Sequence, residues 1–140
     1  MKEFLTLITL LLVLANGVAG QTQKTLVKTL ALTPTTESLQ FHFPATVEVK
    51  EWDNPTLRLV TTVDANVGPN VLKALAAAGR YGYTTTTQLT TGVTTVTMPK
   101  IEVEIIIGGY PLEDQLQVLV YIPKGMNYKV VGANNPDLVQ

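Results

Sequence analysis

A chain of 140 residues with ten basic and eleven acidic side chains has a formal charge of −1. It therefore has no general field to attract nucleic acid or an anionic membrane surface. The absence of cysteine excludes a disulfide framework and thiolate chemistry, and a single serine (Ser38) and single histidine (His42) leave little for nucleophilic or zinc-dependent catalysis.

The chain begins with the layout of a secretory signal: polar Met1-Lys2-Glu3, an apolar run over 4–15, then small residues as far as Gly20. The apolar run is shorter than the roughly 20 residues of a membrane-spanning helix. Cleavage is expected after Ala19 or Gly20. Residues 1–20 are thus read as a signal peptide and 21–140 as a single β domain. The expected location is the periplasm, the cell surface or the extracellular space. An exported chain without disulfides suits a bacterial envelope, where the core alone must hold the fold.

Period-two alternation dominates the rest. Strands are expected over 25–32, 39–43, 47–52 and 57–63. Lys24 and Lys28 suggest that the first is an edge strand, since charge discourages pairing with another chain. "PNVLKALAAAGRY" breaks the rhythm by placing Val71, Leu72, Leu75 and Ala78 at helical spacing. Pro69 suits a helix start and Gly79 its end, which predicts a short helix over 69–78. Further strands are expected over 83–89, 93–98, 101–107, 116–122 and 128–131. In "IEVEIII", Ile101, Val103, Ile105 and Ile107 share one face. In "LQVLVYIP", Leu116, Val118, Val120 and Ile122 oppose Gln117, Leu119 and Tyr121. Residues 132–140 read as a loose tail. Frequent Gly, Pro and Asn punctuation, with nineteen threonines after residue 20, points to a mainly β fold. The expected architecture is a two-layered β-sandwich or a short β-solenoid with one short helix near 69–78.

The stretch "VEVKEWDNPTLRLV" joins two alternating segments through Trp52, Asp53 and an Asn-Pro turn. As a hairpin, a loop from Asp53 to Leu57 keeps Val47, Val49, Leu57 and Leu59 in phase and sets Trp52 opposite Arg58. The two segments could instead lie on successive sides of a solenoid coil. At such a corner, Trp52 would pack over a strand end and Asp53 would bond turn amides. This stretch, with "LQVLVYIPKGMNYKV" much later, resembles the adhesin-like domains of unknown function in bacterial envelope proteins. The resemblance covers residues 41–131 and rests on the Trp-Asp corner and the strand ending in Pro123-Lys124-Gly125. It implies a β-solenoid or stacked β layers. It implies no active site, so no functional residue is carried over. Two departures, the inserted helix and the early end of the chain, favour a compact two-layered domain over a long solenoid.

The catalytic inventory is thin. Ser38 and His42 are about 13 Å apart in an extended segment, too far for a dyad. Glu102 and Glu104, about 6.7 Å apart on one strand face, match the spacing of a glycosidase pair. Glutamates alternating with Ile and Val equally describe a solvent-facing sheet side. Glu113-Asp114 read as ordinary loop charges, and Gly108-Gly109 lack the Gly-Lys-Ser/Thr of a phosphate loop. We therefore expect no catalytic residues, no cofactor and no metal. The expected role is an exported, non-enzymatic, adhesin-like surface-contact module with a protein or glycan partner at the envelope. The alternative is a carbohydrate- or small-ligand-binding domain using Trp52, Arg80, Tyr81 and Tyr83. A weaker alternative is an enzyme with the carboxylate pair. No nucleic acid and no membrane span in the mature chain are expected, and exposed sheet edges leave room for a homo-oligomer.

Overall fold

A computed structural model describes residues 21–131, so the expected signal peptide and tail lie outside the described residues. In chain order the elements are β1 Thr22–Leu30, β2 Ser38–His42, β3 Thr46–Trp52, β4 Leu57–Ala65, α1 Pro69–Ala77, β5 Thr84–Gln88, β6 Val93–Thr97, β7 Ile106–Ile107, β8 Tyr110–Pro111, β9 Asp114–Pro123 and β10 Asn127–Val131. Two four-stranded sheets have the orders β1-β4-β9-β3 and β10-β2-β6-β5, and β7 and β8 form a separate ribbon. Each large sheet keeps two edges, so the fold is not a closed barrel.

The alternation explains why the sheets face each other. The inward phases carry Leu57, Leu59, Val63, Val118, Val120 and Ile122 from the first sheet, and Leu39, Phe41 and Val96 from the second. All belong to one buried cluster. A fully buried Leu or Phe contributes roughly 1.5–3 kcal/mol, so these residues supply most of the drive to stack the sheets. The helix adds Leu72 to the same cluster. Pro69 stands in its first turn, Ala78 is its C-cap, and Gly79 turns the chain away at φ 88°.

Two expected features are corrected. First, β3 and β4 do not form a hairpin, because β9 lies between them, parallel to β3 and antiparallel to β4. The expected phase survives: Val49 pairs with Val120, which pairs with Leu59. The cause is visible in the side chains. β9 carries apolar residues on both phases, including outward Leu119 and Tyr121, and takes the central place. β3 carries Glu48, Lys50 and Glu51 and goes to the edge.

Second, of the strand expected over 101–107 only Ile106–Ile107 pairs. Ile101 is buried and Ile105 and Ile107 are half-buried, but Val103 between them is 56% exposed, so the expected inward face is interrupted. Arg80 supplies the reason. Its Nη1 donates to the carbonyls of Val103 (2.8 Å) and Lys100 (3.4 Å), and Val103 N turns back to the Lys100 carbonyl, so the start of the segment is bonded as a turn and not to a neighbouring strand.

Candidate contact face

The Trp-Asp stretch is a corner held by local bonds. Trp52 ends β3, and its Nε1 donates to the Thr56 carbonyl at 2.9 Å. Asn54, and not Asp53, organises the turn: its Oδ1 accepts from Thr56 N at 3.1 Å and Thr56 Oγ1 at 2.7 Å. Asp53 instead meets Lys124 Nζ at 3.2 Å, an exposed pair of small energetic value. Glu51 Oε2 accepts from Gly125 N at 2.6 Å. The turn at Gly125 has φ 78°, a conformation that favours glycine. The Trp-Asp corner and the Pro123-Lys124-Gly125 turn are therefore one structural unit, with Trp52 in register beside Pro123.

The expected contact between Trp52 and Arg58 is replaced, because β9 lies between their strands. Trp52 packs on Tyr121 with ring centroids 5.5 Å apart and planes tilted by 37°. Register places Lys50 on one side of Tyr121 and Arg58 on the other. The next outward row is Glu48, Leu119, Val60 and Val27, crossing all four strands of the sheet. Val27 is 54% exposed, while Val60, Leu119, Tyr121 and Trp52 are half-buried. Thr46, Glu48, Val60, Thr62, Gln117 and Leu119 line a shallow hollow on this face, open to solvent. The outer face of the first sheet thus presents an apolar and aromatic band flanked by two cations. Its signal in the sequence was Leu119 and Tyr121 on the phase that glutamine otherwise occupies.

The other three candidate ligand residues do not join Trp52. Arg80 and Tyr81 are buried, at 6% and 3% exposure. Arg80 Nε donates to Asp114 Oδ2 at 2.7 Å and Nη2 to Oδ1 at 3.2 Å, a bidentate pair. Tyr81 Oη donates to the same carboxylate at 2.9 Å. The bond to Asp114 outweighs burial and raises the Arg80 pKa further, while burial, aided by the bond to Asp114, pushes the Tyr81 hydroxyl well above its usual range. Tyr83 stacks edge-on against Phe43 at 5.3 Å and shares a hydrogen bond with the buried Thr61 hydroxyl. Burial pushes its pKa to about 12. These three residues brace the interior. Asp114, read from the sequence as a loop charge, is the common acceptor of Arg80 and Tyr81 at the start of β9.

Glu102 and Glu104 are exposed in the irregular segment before β7, so they share no strand face. Ser38 and His42 sit at opposite ends of β2. Among the described residues, no group of three or more His, Asp or Glu gathers to hold a metal ion, and no helix is long and apolar enough to cross a membrane.

The chain matches no protein family and no curated protein. Among solved structures it is similar to a "putative cell adhesion protein" from Clostridium sporogenes, with 5% identity and a TM-score of 0.38. The likeness covers 78% of this chain and 46% of that one, so this chain spans less than half of that protein's length.

Proposed function

We propose that this chain is an exported, non-enzymatic β module that works by surface contact, adhesin-like, at the cell envelope. Its contact surface is the outer face of the sheet β1-β4-β9-β3. One observation carries this reading: Leu119, Val60, Val27, Tyr121 and Trp52 occupy outward positions, where a merely solvated face would carry polar residues. Arg58 and Lys50 beside the aromatic pair supply charge that a protein or glycan partner can meet. Aromatics and Arg are the residue types that most often anchor interfaces.

The test is binding of the labelled chain to envelope preparations and intact cells, with Leu119→Asp and Arg58→Glu as variants. Both side chains point outward, so melting temperature should change little while binding falls at least tenfold. Unaltered binding in both variants would remove this face from the proposal. Turnover of a defined substrate, lost on changing Glu102 or Glu104, would overturn the non-enzymatic reading.

A second reading is favoured by the Trp52–Tyr121 pair alone. Two adjacent aromatic rings beside Arg58 and Lys50 form a platform for a sugar. It predicts a saturable hit on a glycan array, weakened by Tyr121→Ala more than by Leu119→Asp.

A further inference from the structure

The two large sheets have four edge strands, and three of them carry charge. β1 has Lys24 and Lys28. Both lie on its inward phase, paired with Val63 and Leu59, so a second strand docking there would trap them over the core. β3 has Glu48, Lys50 and Glu51, and β10 has Lys129. The fourth edge, β5, reads Thr84-Thr85-Thr86-Thr87-Gln88. It has neither charge nor proline, and neither appears from Tyr83 to Gly92. It bonds β6 on one side and, among the described residues, no strand on the other. Its composition is also well suited to pleated sheet.

We propose that β5 pairs with β5 of a second copy of this chain, antiparallel and about a twofold axis at Thr86. The two four-stranded sheets then join into one continuous sheet. The choice of a second copy rests on self-complementarity. A twofold pairing sets a strand against its own sequence, so a strand whose charges share one sign can meet like charge. Centred on Leu26, β1 would set Lys24 against Lys28 of the other copy. Centred on Thr86, β5 sets Thr86 against Thr86, Thr85 against Thr87 and Thr84 against Gln88. Threonine pairs across strands are favourable, and no like charges meet. The same register brings Leu89, which is 79% exposed, toward the Tyr83 end of the other strand and covers it.

The chain contains no cysteine, so a single introduced thiol reports position without interference. Thr86 is exposed and its side chain bonds nothing among the described residues, which makes it replaceable. In the full chain under mild oxidation, Thr86→Cys should give a cross-linked dimer, because opposed residues lie about 4.5–5.5 Å apart at Cα, within disulfide reach. Thr84→Cys should not, because its counterpart lies four residues away along the pair. By sedimentation, the parent chain should show a concentration-dependent dimer and Thr86→Lys a monomer. Thr84→Lys with Gln88→Glu should keep the dimer, and Thr84→Lys with Gln88→Lys should lose it. Circular dichroism checks that each variant is folded. A monomer at all concentrations, association that survives Thr86→Lys, or equal cross-linking at Thr84 and Thr86 would each overturn the proposal.

Discussion

The Arg80–Asp114 pair shows how a single residue can be read two ways. From the sequence, Arg80 between Gly79 and Tyr81 looks free to grip a ligand. In the fold, its three side-chain nitrogens face Asp114 and the carbonyls of Lys100 and Val103. What the sequence could not display was the acceptor, 34 positions away. Both side chains are only 7% exposed, so removing one partner strands a buried charge. Asp114→Ala should therefore destabilise the chain by about 3–5 kcal/mol, read from the urea midpoint. A loss below about 1 kcal/mol would mean that the pair is not desolvated as described. Tyr83 makes a second prediction at this scale. Its pKa rises from 10.0 in the unfolded chain to about 12 in the fold. The folded state thus holds the proton more tightly. That contribution is complete below pH 10 and lost as pH climbs to 12. Tyr83→Phe should flatten this part of the stability profile. Profiles of parent and variant that fall in parallel between pH 10 and 12 would refute it.

At the scale of the element, composition decides whether a strand is central or peripheral. β9 has apolar residues on both phases and holds ladder bonds on both sides. β1 was expected as an edge because of its lysines, and it is one. The surprise is their direction. Lys24 and Lys28 point inward at the rim, a stronger obstacle to pairing than outward charge. Replacing both with valine should extend the apolar inner face and expose it to other chains. Light scattering should then report association at concentrations where the parent stays clear. Equal clarity would show that the lysines do not guard this edge. The failure at 101–107 also belongs to this scale. Alternation of Ile, Val and Glu met the strand rule, but a strand needs a neighbour for its backbone. Arg80 took the carbonyl of Val103 instead, and that of Lys100 just before the segment.

Across the whole molecule, the two phases of the first sheet serve different ends. The inner phase stacks against the second sheet, and the outer phase is the proposed contact surface. The two should separate in experiment. Leu59→Ala, at 0% exposure, should cost about 2–5 kcal/mol through lost burial and the cavity left behind. Leu119→Ala, half-buried on the outer phase, should cost about 1 kcal/mol or less while weakening contact binding. Comparable losses of stability in both would show that the outer face is packed and not presented. Within β3, β4 and β9, the sequence alone settled which residues point inward, because alternation follows from backbone geometry and needs no partner. It also marked the helix from Pro69, through spacing and proline placement. Only the tertiary structure decided that β9 parts β3 from β4, that Trp52 meets Tyr121 and not Arg58, and that Asp114 gathers Arg80 and Tyr81. Those outcomes are contests between distant segments for the same neighbours. They are decided by how much apolar surface and how many backbone bonds each arrangement satisfies at once, a sum that no local stretch contains.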